Sequence, residues 1–386
     1  MQNFPLNRFF SNPFFSNKKV IIVIYLIAAI LISLKIAFLE TWDNYECFQA
    51  AHFHLLKNLD LYLMYPLEYH SSYNYSPFFA FLMGAYAYLP DWLGILLWNL
   101  THTIPFLMAI NLLPLEEKKK IFLYWFCLIE YITAAENVQT NSTVTALIML
   151  VFIFQNKDKN TWSSLLFVFG FFFKIYVLTA GIFFLCYGKK GSFIIKALGW
   201  TLLFFSLPLL LVSFNQLIFL YQSWIERLQM QSLRESLSIL GVINLFKIPG
   251  LTKEWIMLAG TICMLLVLIK KQVYYNLQFR LLYLAAILLF TVLFNPGVES
   301  PTYIIGVAGV AVWYTNKERI LWHHLLMAFV FIFTCLSPTE LFPQFIKKTY
   351  FVPYHIKAIP CIIVWIVCMI ELYSWQALSK QKNSES

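Results

Sequence analysis

Residues Val20–Leu39 read VIIVIYLIAAILISLKIAFL, and the residues after them, Glu40–Phe48, read ETWDNYECF. A helix needs roughly 20 apolar residues to cross a bilayer, and Val20–Leu39 supplies them with one charge, Lys35. No small-residue cleavage pattern follows this run and more apolar runs do, so it reads as a retained span. The polar break behind it then sets a carboxylate, Asp43, at the mouth of a membrane bundle.

The rest of the chain repeats the pattern. Of 386 residues, 60% are hydrophobic and 12% charged, with mean hydropathy +0.69. Soluble domains run near a quarter charged, so this surface faces lipid. Further apolar runs lie near 92–113, 121–136, 142–155, 161–173, 175–187, 197–214, 254–269, 281–295, 301–315, 321–337 and 356–376. With the first, they predict an all-α polytopic membrane protein of about 12 transmembrane helices. Residues 1–386 form a single integral membrane domain on this reading, with no appended soluble domain. Several runs are short, which points to broken helices lining a cavity. The net charge of +9 comes from short basic clusters between spans and signals no nucleic-acid partner. The cysteines show no paired spacing and the histidines no metal-ligand spacing. Neither a disulfide framework, a metal nor a cofactor is expected.

Charge sets the orientation. If the short apolar segment Pro77–Pro90 crossed, the lysines at 118–120, 157, 159, 189 and 190 would lie outside. As an interfacial helix it leaves most of the 28 Lys and Arg cytoplasmic, which the positive-inside bias favours. Asp43, Tyr73, Gln139, Asn141, Lys174, Arg234 and Glu299 then share the non-cytoplasmic face, arriving from separate junctions. Polar groups at membrane depth are costly and usually line a site. Two external segments have apolar residues at helical spacing and read as helices lying on the membrane surface. One carries Phe48, Ala51, Leu55 and Leu59, the other Leu220, Trp224, Leu228 and Leu233 with Arg227.

Each candidate has a plainer reading. Asp43 either marks the end of a span or acts as a general base at a water-poor mouth; Glu46, one helical turn on, competes for that role. Lys174, between Phe173 and Ile175, either snorkels to the interface or holds a phosphate as a point charge. Arg234 is a solvated face residue or a second phosphate ligand. Glu136–Ser142, reading ENVQTNS, interrupts two apolar runs, and its amides Gln139 and Asn141 suit hydroxyl recognition. Asn295–Pro301 is a tight turn bearing one acid, Glu299.

In order, the chain has Asp43 after the first span and Tyr73-Asn74-Tyr75-Ser76-Pro77 leading into an apolar helix. It continues with the amide turn Gln139-Thr140-Asn141, the Phe173-Lys174-x-Tyr176 turn and a Trp224-bearing external helix. That series resembles the family-87 glycosyltransferases of the GT-C superfamily, which use polyprenyl-phosphate sugars. More distantly it is similar to the mannosyltransferases that start the GPI anchor. The resemblance runs from about residue 20 to 240 and through the turn at Glu299, leaving C-terminal helices at about 254–376. It implies a GT-C helical bundle and an inverting hexosyl transfer, with mannose the expected sugar, at the outer face of a cell membrane. The donor is a polyprenyl-phosphate sugar and the acceptor a glycolipid or glycan. Asp43 matches the catalytic base; Lys174 and Arg234 would hold the donor phosphate. Glu46, Tyr73, Asn74, Tyr75, Gln139, Asn141 and Glu299 would contact sugar or acceptor. Two positions depart from the pattern: Val138 stands where many relatives have Gly, and Val177 where many have Pro.

Two other classes remain open at this point. A transporter predicts mid-span charges and pseudo-repeated halves; here the charges read as clustered at one face and the halves do not resemble each other. A lipid-linked glycan polymerase or ligase predicts functional residues in a late loop, and Ser337–His355 carries Lys347, Lys348 and His355.

Overall fold

An apolar run placed in lipid must satisfy its backbone internally, which a helix does. A computed structural model describes residues 12–39, 43–186, 190–231, 236–317 and 320–375. Among them every regular element is helical. The chain begins with α1 (Lys18–Leu39) and α2 (Asp43–Leu56), then two short helices, Pro77–Leu82 and Gly84–Ala87. Next come α3 (Asp91–Leu112), α4 (Glu117–Glu136), α5 (Asn141–Asn156) and α6 (Asn160–Phe173). A 3-10 turn, Ile175–Ala180, continues into the helix Gly181–Cys186, followed by α7 (Lys190–Ser206) and α8 (Phe214–Gln231). The C-terminal part holds α9 (Lys253–Leu266), α10 (Leu277–Leu293), α11 (Tyr303–Thr315), α12 (Leu321–Val330) and α13 (Ile359–Ser374).

Three of these helices are long and apolar enough to cross a membrane by length and composition: α1, α3, and α7 with its extension to Leu210. The expected twelve runs all become helical, but the others are shorter or more polar. Asn141–Asn156, Asn160–Phe173, Ile175–Cys186 and Leu277–Leu293 are apolar helices of 10–17 residues. The polar turns that cut them are the ones the sequence singles out. The Pro77–Pro90 segment breaks into helices of 6 and 4 residues, far short of the roughly 20 that crossing requires.

The core lies where α4, α5, α10 and α11 meet. Every residue of α11 is buried, and α10 packs along it. Small residues permit this approach: a Cβ on Gly309 would stand 2.8 Å from the Ala285 carbonyl oxygen, and such contacts drive helix association in lipid. At the periphery α7 bares Ile195 and Leu202, 72% and 71% exposed, a face suited to acyl chains. On α2 the residues Phe48, Ala51 and Leu55 are buried, and on α8 Leu220 and Trp224 are, so both helices turn these residues toward the bundle, whereas Leu59 lies beyond the end of α2 and is 39% exposed and Leu233 lies outside the described residues.

Polar contacts gather at the two ends of the bundle. At one end Lys35 pairs with Glu136 at 3.2 Å, Asn44 Nδ2 donates to the Asn137 carbonyl at 2.9 Å and Tyr176 to that of Gly297 at 2.8 Å. At the other, Lys18 pairs with Glu117 at 2.9 Å, Lys317 with Glu371, and Lys270 donates to the Trp375 carbonyl at 3.0 Å. An ion pair also lies inside the bundle. Lys357, 4% exposed, reaches Glu130, 0% exposed, at 2.7 Å and donates to Ser300 Oγ at 3.0 Å.

Candidate active site

The end that carries Asn44 and Gly297 holds a cavity of about 260 Å³. Its walls come from the loop between Met64 and Tyr75, Gln139, the Lys174–Tyr176 break and the turn from Gly297 to Thr302, with Leu228 of α8 beside them. Four local structures place these residues.

The first is the Tyr-Asn-Tyr-Ser-Pro run, each member of which ties down a different element. Ser76 caps the Pro77–Leu82 helix by accepting from Phe79 N at 3.3 Å, and Pro77 takes the first helical position, where its missing N–H costs nothing. The Ser76 hydroxyl donates to the Phe172 carbonyl, fixing the loop to the end of α6. Tyr73 donates to the Ser76 carbonyl at 2.9 Å and Tyr75 hydrogen-bonds Thr140 Oγ1 at 3.1 Å. Asn74 Oδ1 accepts from Arg227 Nε at 2.9 Å, and its carbonyl accepts from Trp224 Nε1 at 3.3 Å. Asn74 and Tyr75 face the cavity, whereas Tyr73 is buried behind them.

The second is the amide turn. Gln139 N bonds back to the Ala134 carbonyl and Val138 N to that of Ala135, both at 3.0 Å. That pair of bonds closes α4 in a Schellman motif, whose penultimate position must be left-handed. Val138 holds it at φ 53°, strained for a β-branched side chain. Val138 is the position where the resemblance leads one to expect Gly, and the departure falls on a site of backbone strain. The motif delivers Gln139 to the cavity, with Nε2 3.5 Å from Glu299 Oε2.

The third is Lys174. It is a single extended residue between α6 and the 3-10 turn, with φ −158°. The chain doubles back this tightly because residue 170 is Gly: a Cβ there would stand 2.5 Å from Val177 Cγ1. Lys174 Nζ donates to Asn141 Oδ1 at 2.8 Å and lies over the rings of Tyr176 and Tyr75, 4.7 and 5.4 Å from their centroids. Asn141 is fully buried and does not line the cavity. It orients the lysine instead.

The fourth is the carboxylate. Asp43 begins α2, where its charge favours the helix N-terminus. Its Oδ1 accepts from the His70 backbone N–H at 2.5 Å, and its Oδ2 accepts from the Ser71 hydroxyl. His70 and Ser71 line the cavity, so Asp43 stands directly behind its wall. Glu46 lies a turn further along α2 and does not line it. Burial, then the nearby Asp43 and Asp91 carboxylates, raise the Glu46 pKa above its ordinary value, with His70 opposing.

The structure thus gathers Asn74, Tyr75, Gln139, Lys174 and Glu299 around one cavity and sets Asp43 against it. Tyr73 and Asn141 support these residues from behind. Arg234 lies outside the described residues; Arg227 of α8 reaches the Asn74 loop. Asn44, His70, Ser71, Tyr176 and Thr302 also line the cavity. The serines and His70 gave no sequence signal because a loop has no periodicity to read. Among the described residues no three His, Cys, Asp or Glu side chains stand where they could share a metal ion.

A search of the curated proteins finds no match to the chain. The sequence model of glycosyltransferase family 87 matches residues 73–296, which is more than half of the 386-residue chain. The match starts at Tyr73 rather than near residue 20, so Asp43 and Glu46 precede it and Glu299 follows it. It takes in Asn74 and Tyr75, the amide turn, the Lys174 break and Leu228, seven of the sixteen residues that line the cavity, and since it spans more than half of the chain, the chain belongs to glycosyltransferase family 87.

Proposed function

We propose that the chain moves a hexose, mannose by its resemblance, from a polyprenyl-phosphate sugar to a glycolipid or glycan acceptor, with inversion. One observation carries the reading: a single cavity combines a lysine held by an amide, hydroxyl- and amide-bearing walls, and a carboxylate behind a serine. Its volume of about 260 Å³ suits one sugar ring; drug-sized sites begin at roughly 300 Å³. The acceptor oxygen attacks the sugar C1 as the C1–O bond to phosphate breaks. The acceptor proton goes to Asp43 and the bonding pair leaves on the phosphate. Phosphate is already a good leaving group, so one carboxylate suffices where a glycosidase needs two. Lys174 opposes the charge growing on the phosphate, and Ser71, which donates to Asp43, occupies the geometry that an acceptor hydroxyl requires.

Lys174→Met tests the donor half. Losing a charge-assisted contact should raise the donor KM roughly ten- to a hundredfold, while expression and thermal stability change little. An unchanged donor KM would reduce Lys174 to a snorkelling residue. The late segment Ser337–His355 contributes nothing to the cavity; Lys347 is bound to Glu340 and the Thr339 carbonyl. The polymerase or ligase reading therefore loses its main support.

The topology proposed with this activity is one membrane domain of about twelve crossings, with Asp43 and Lys174 facing the exterior of a cell membrane. The sorting of polar contacts to two ends of the bundle supports it. Leu67 is fully exposed in the loop beside the cavity, and Lys157 is exposed at the opposite end. An impermeant thiol reagent added to intact cells should label Leu67→Cys and leave Lys157→Cys unmodified. Labelling of position 157 from outside would overturn the orientation.

A further inference from the structure

α5, the segment ending at Cys186, and α10 each have one end at the active-site cavity. Their other ends surround a second cavity of about 460 Å³. Three cations line it, Lys190, Lys271 and Arg280, against one carboxylate, Asp158. Among the described residues no ion pair joins Asp158 to any of the three. Lys190 and Lys271 are exposed at the mouth.

The inner groups lack acceptors. Gln155 lines the cavity at 2% exposure, and its Nε2 has no hydrogen-bond partner among the described residues. Arg280 Nε is likewise buried without one. Folded proteins rarely leave buried donors unpaired, because each forfeits its hydration. An amide NH2 and a guanidinium N–H, flanked by two ammonium groups, call for oxygen acceptors that bring negative charge. Phosphate meets both needs, and arginine is the side chain best shaped to receive it.

We propose that this second cavity binds a phosphate group, carried either by an anionic lipid headgroup or by a soluble phosphate. α5 has 16 residues, so the two cavities lie about 24 Å apart along it at 1.5 Å per residue. A phosphate held between Gln155, Lys190 and Arg280 touches the far ends of α5 and α10, whose near ends carry Asn141 and the Glu299 turn, and the start of α7. The lipid source rests on the membrane reading above; the soluble source does not.

The test uses the purified full chain in phosphatidylcholine nanodiscs and follows thermal unfolding. In one arm inorganic phosphate is titrated; in the other phosphatidylglycerol replaces part of the phosphatidylcholine. One of the two should raise Tm. The shift should vanish in Arg280→Gln, and Lys271→Gln should need roughly tenfold more of the same probe, the loss of one charge-assisted contact. A response to inorganic phosphate identifies a soluble ligand, and a response to phosphatidylglycerol alone identifies a lipid. Should Arg280→Gln fail to fold, the exposed Lys271→Gln decides, with bound phosphatidylglycerol counted by native mass spectrometry. A wild-type Tm that moves with neither probe, or variants that respond as wild type does, overturns the proposal. No readout involves turnover, so the result stands apart from the sugar-transfer reading.

Discussion

Asp43→Asn should lower turnover by at least ~10²-fold, the lower range for losing a general base, while donor binding survives. Asparagine fits the site. Its carbonyl can still accept from the His70 N–H, and Ser71 can turn its hydroxyl to accept from the new NH2 where it now donates to Asp43. What asparagine lacks is a basic oxygen. Ser71→Ala supplies the control, because Asp43 also anchors the cavity loop. If anchoring were its whole role, Asp43→Asn, which keeps both bonds, would cost no more than Ser71→Ala, which loses one; as a base, Asp43 should be far the more sensitive. Glu46→Gln should be milder than Asp43→Asn, since geometry precedes pKa in choosing a base and it is Asp43 that bonds the cavity-lining His70 and Ser71. A folded, donor-binding Asp43→Asn enzyme with near-normal kcat would end the assignment. Activity lost in Glu46→Gln instead would move the role one turn along α2.

How far the sequence foretold this site depends on the kind of signal each residue carried. Apolar runs and their polar breaks are periodic features, so the helices, the surface stripes of α2 and α8, and the junction residues Gln139, Lys174 and Glu299 were all readable. Crossing length was less so: the break at Lys174 between the runs 161–173 and 175–187 was legible, but hydropathy does not show that the helices on either side stop at 10–17 residues. The roles of Tyr73 and Asn141 were hidden for a different reason. A polar side chain in a rich turn looks alike whether it faces a ligand or braces its neighbour, and only the hydrogen bonds to Ser76 and Lys174 separate the two. Arg227 reaches the loop at Asn74 across 153 residues of sequence, and His70 and Ser71 meet Asp43 across 27 and 28. No local pattern encodes these meetings. Glu130 was missed inside an apolar run because its partner, Lys357, lies 227 residues away.

Lys357→Met should destabilise the protein by about 3–5 kcal/mol, the cost of stripping one partner from a buried ion pair. Glu130 is 0% exposed in the middle of α4, and its Oε2 has no hydrogen-bond partner among the described residues. Lys357 is thus the counter-charge to a carboxylate that has no water to turn to. The expected remedy is to remove the charge at both ends. Glu130→Leu combined with Lys357→Met should recover most of the loss, since apolar replacements of a buried pair are often neutral or stabilising. Unfolding by denaturant in detergent measures both variants. The double variant also separates stability from function. Lys357 donates to Ser300 Oγ, and Ser300 stands between Glu299 and Thr302, which both line the active-site cavity. A double variant restored in stability but weakened in acceptor KM would make Lys357 a positioning residue for that turn; full activity would confine it to holding α4 and α13 together. A single Lys357→Met variant as stable as wild type would mean that the pair does not hold the bundle.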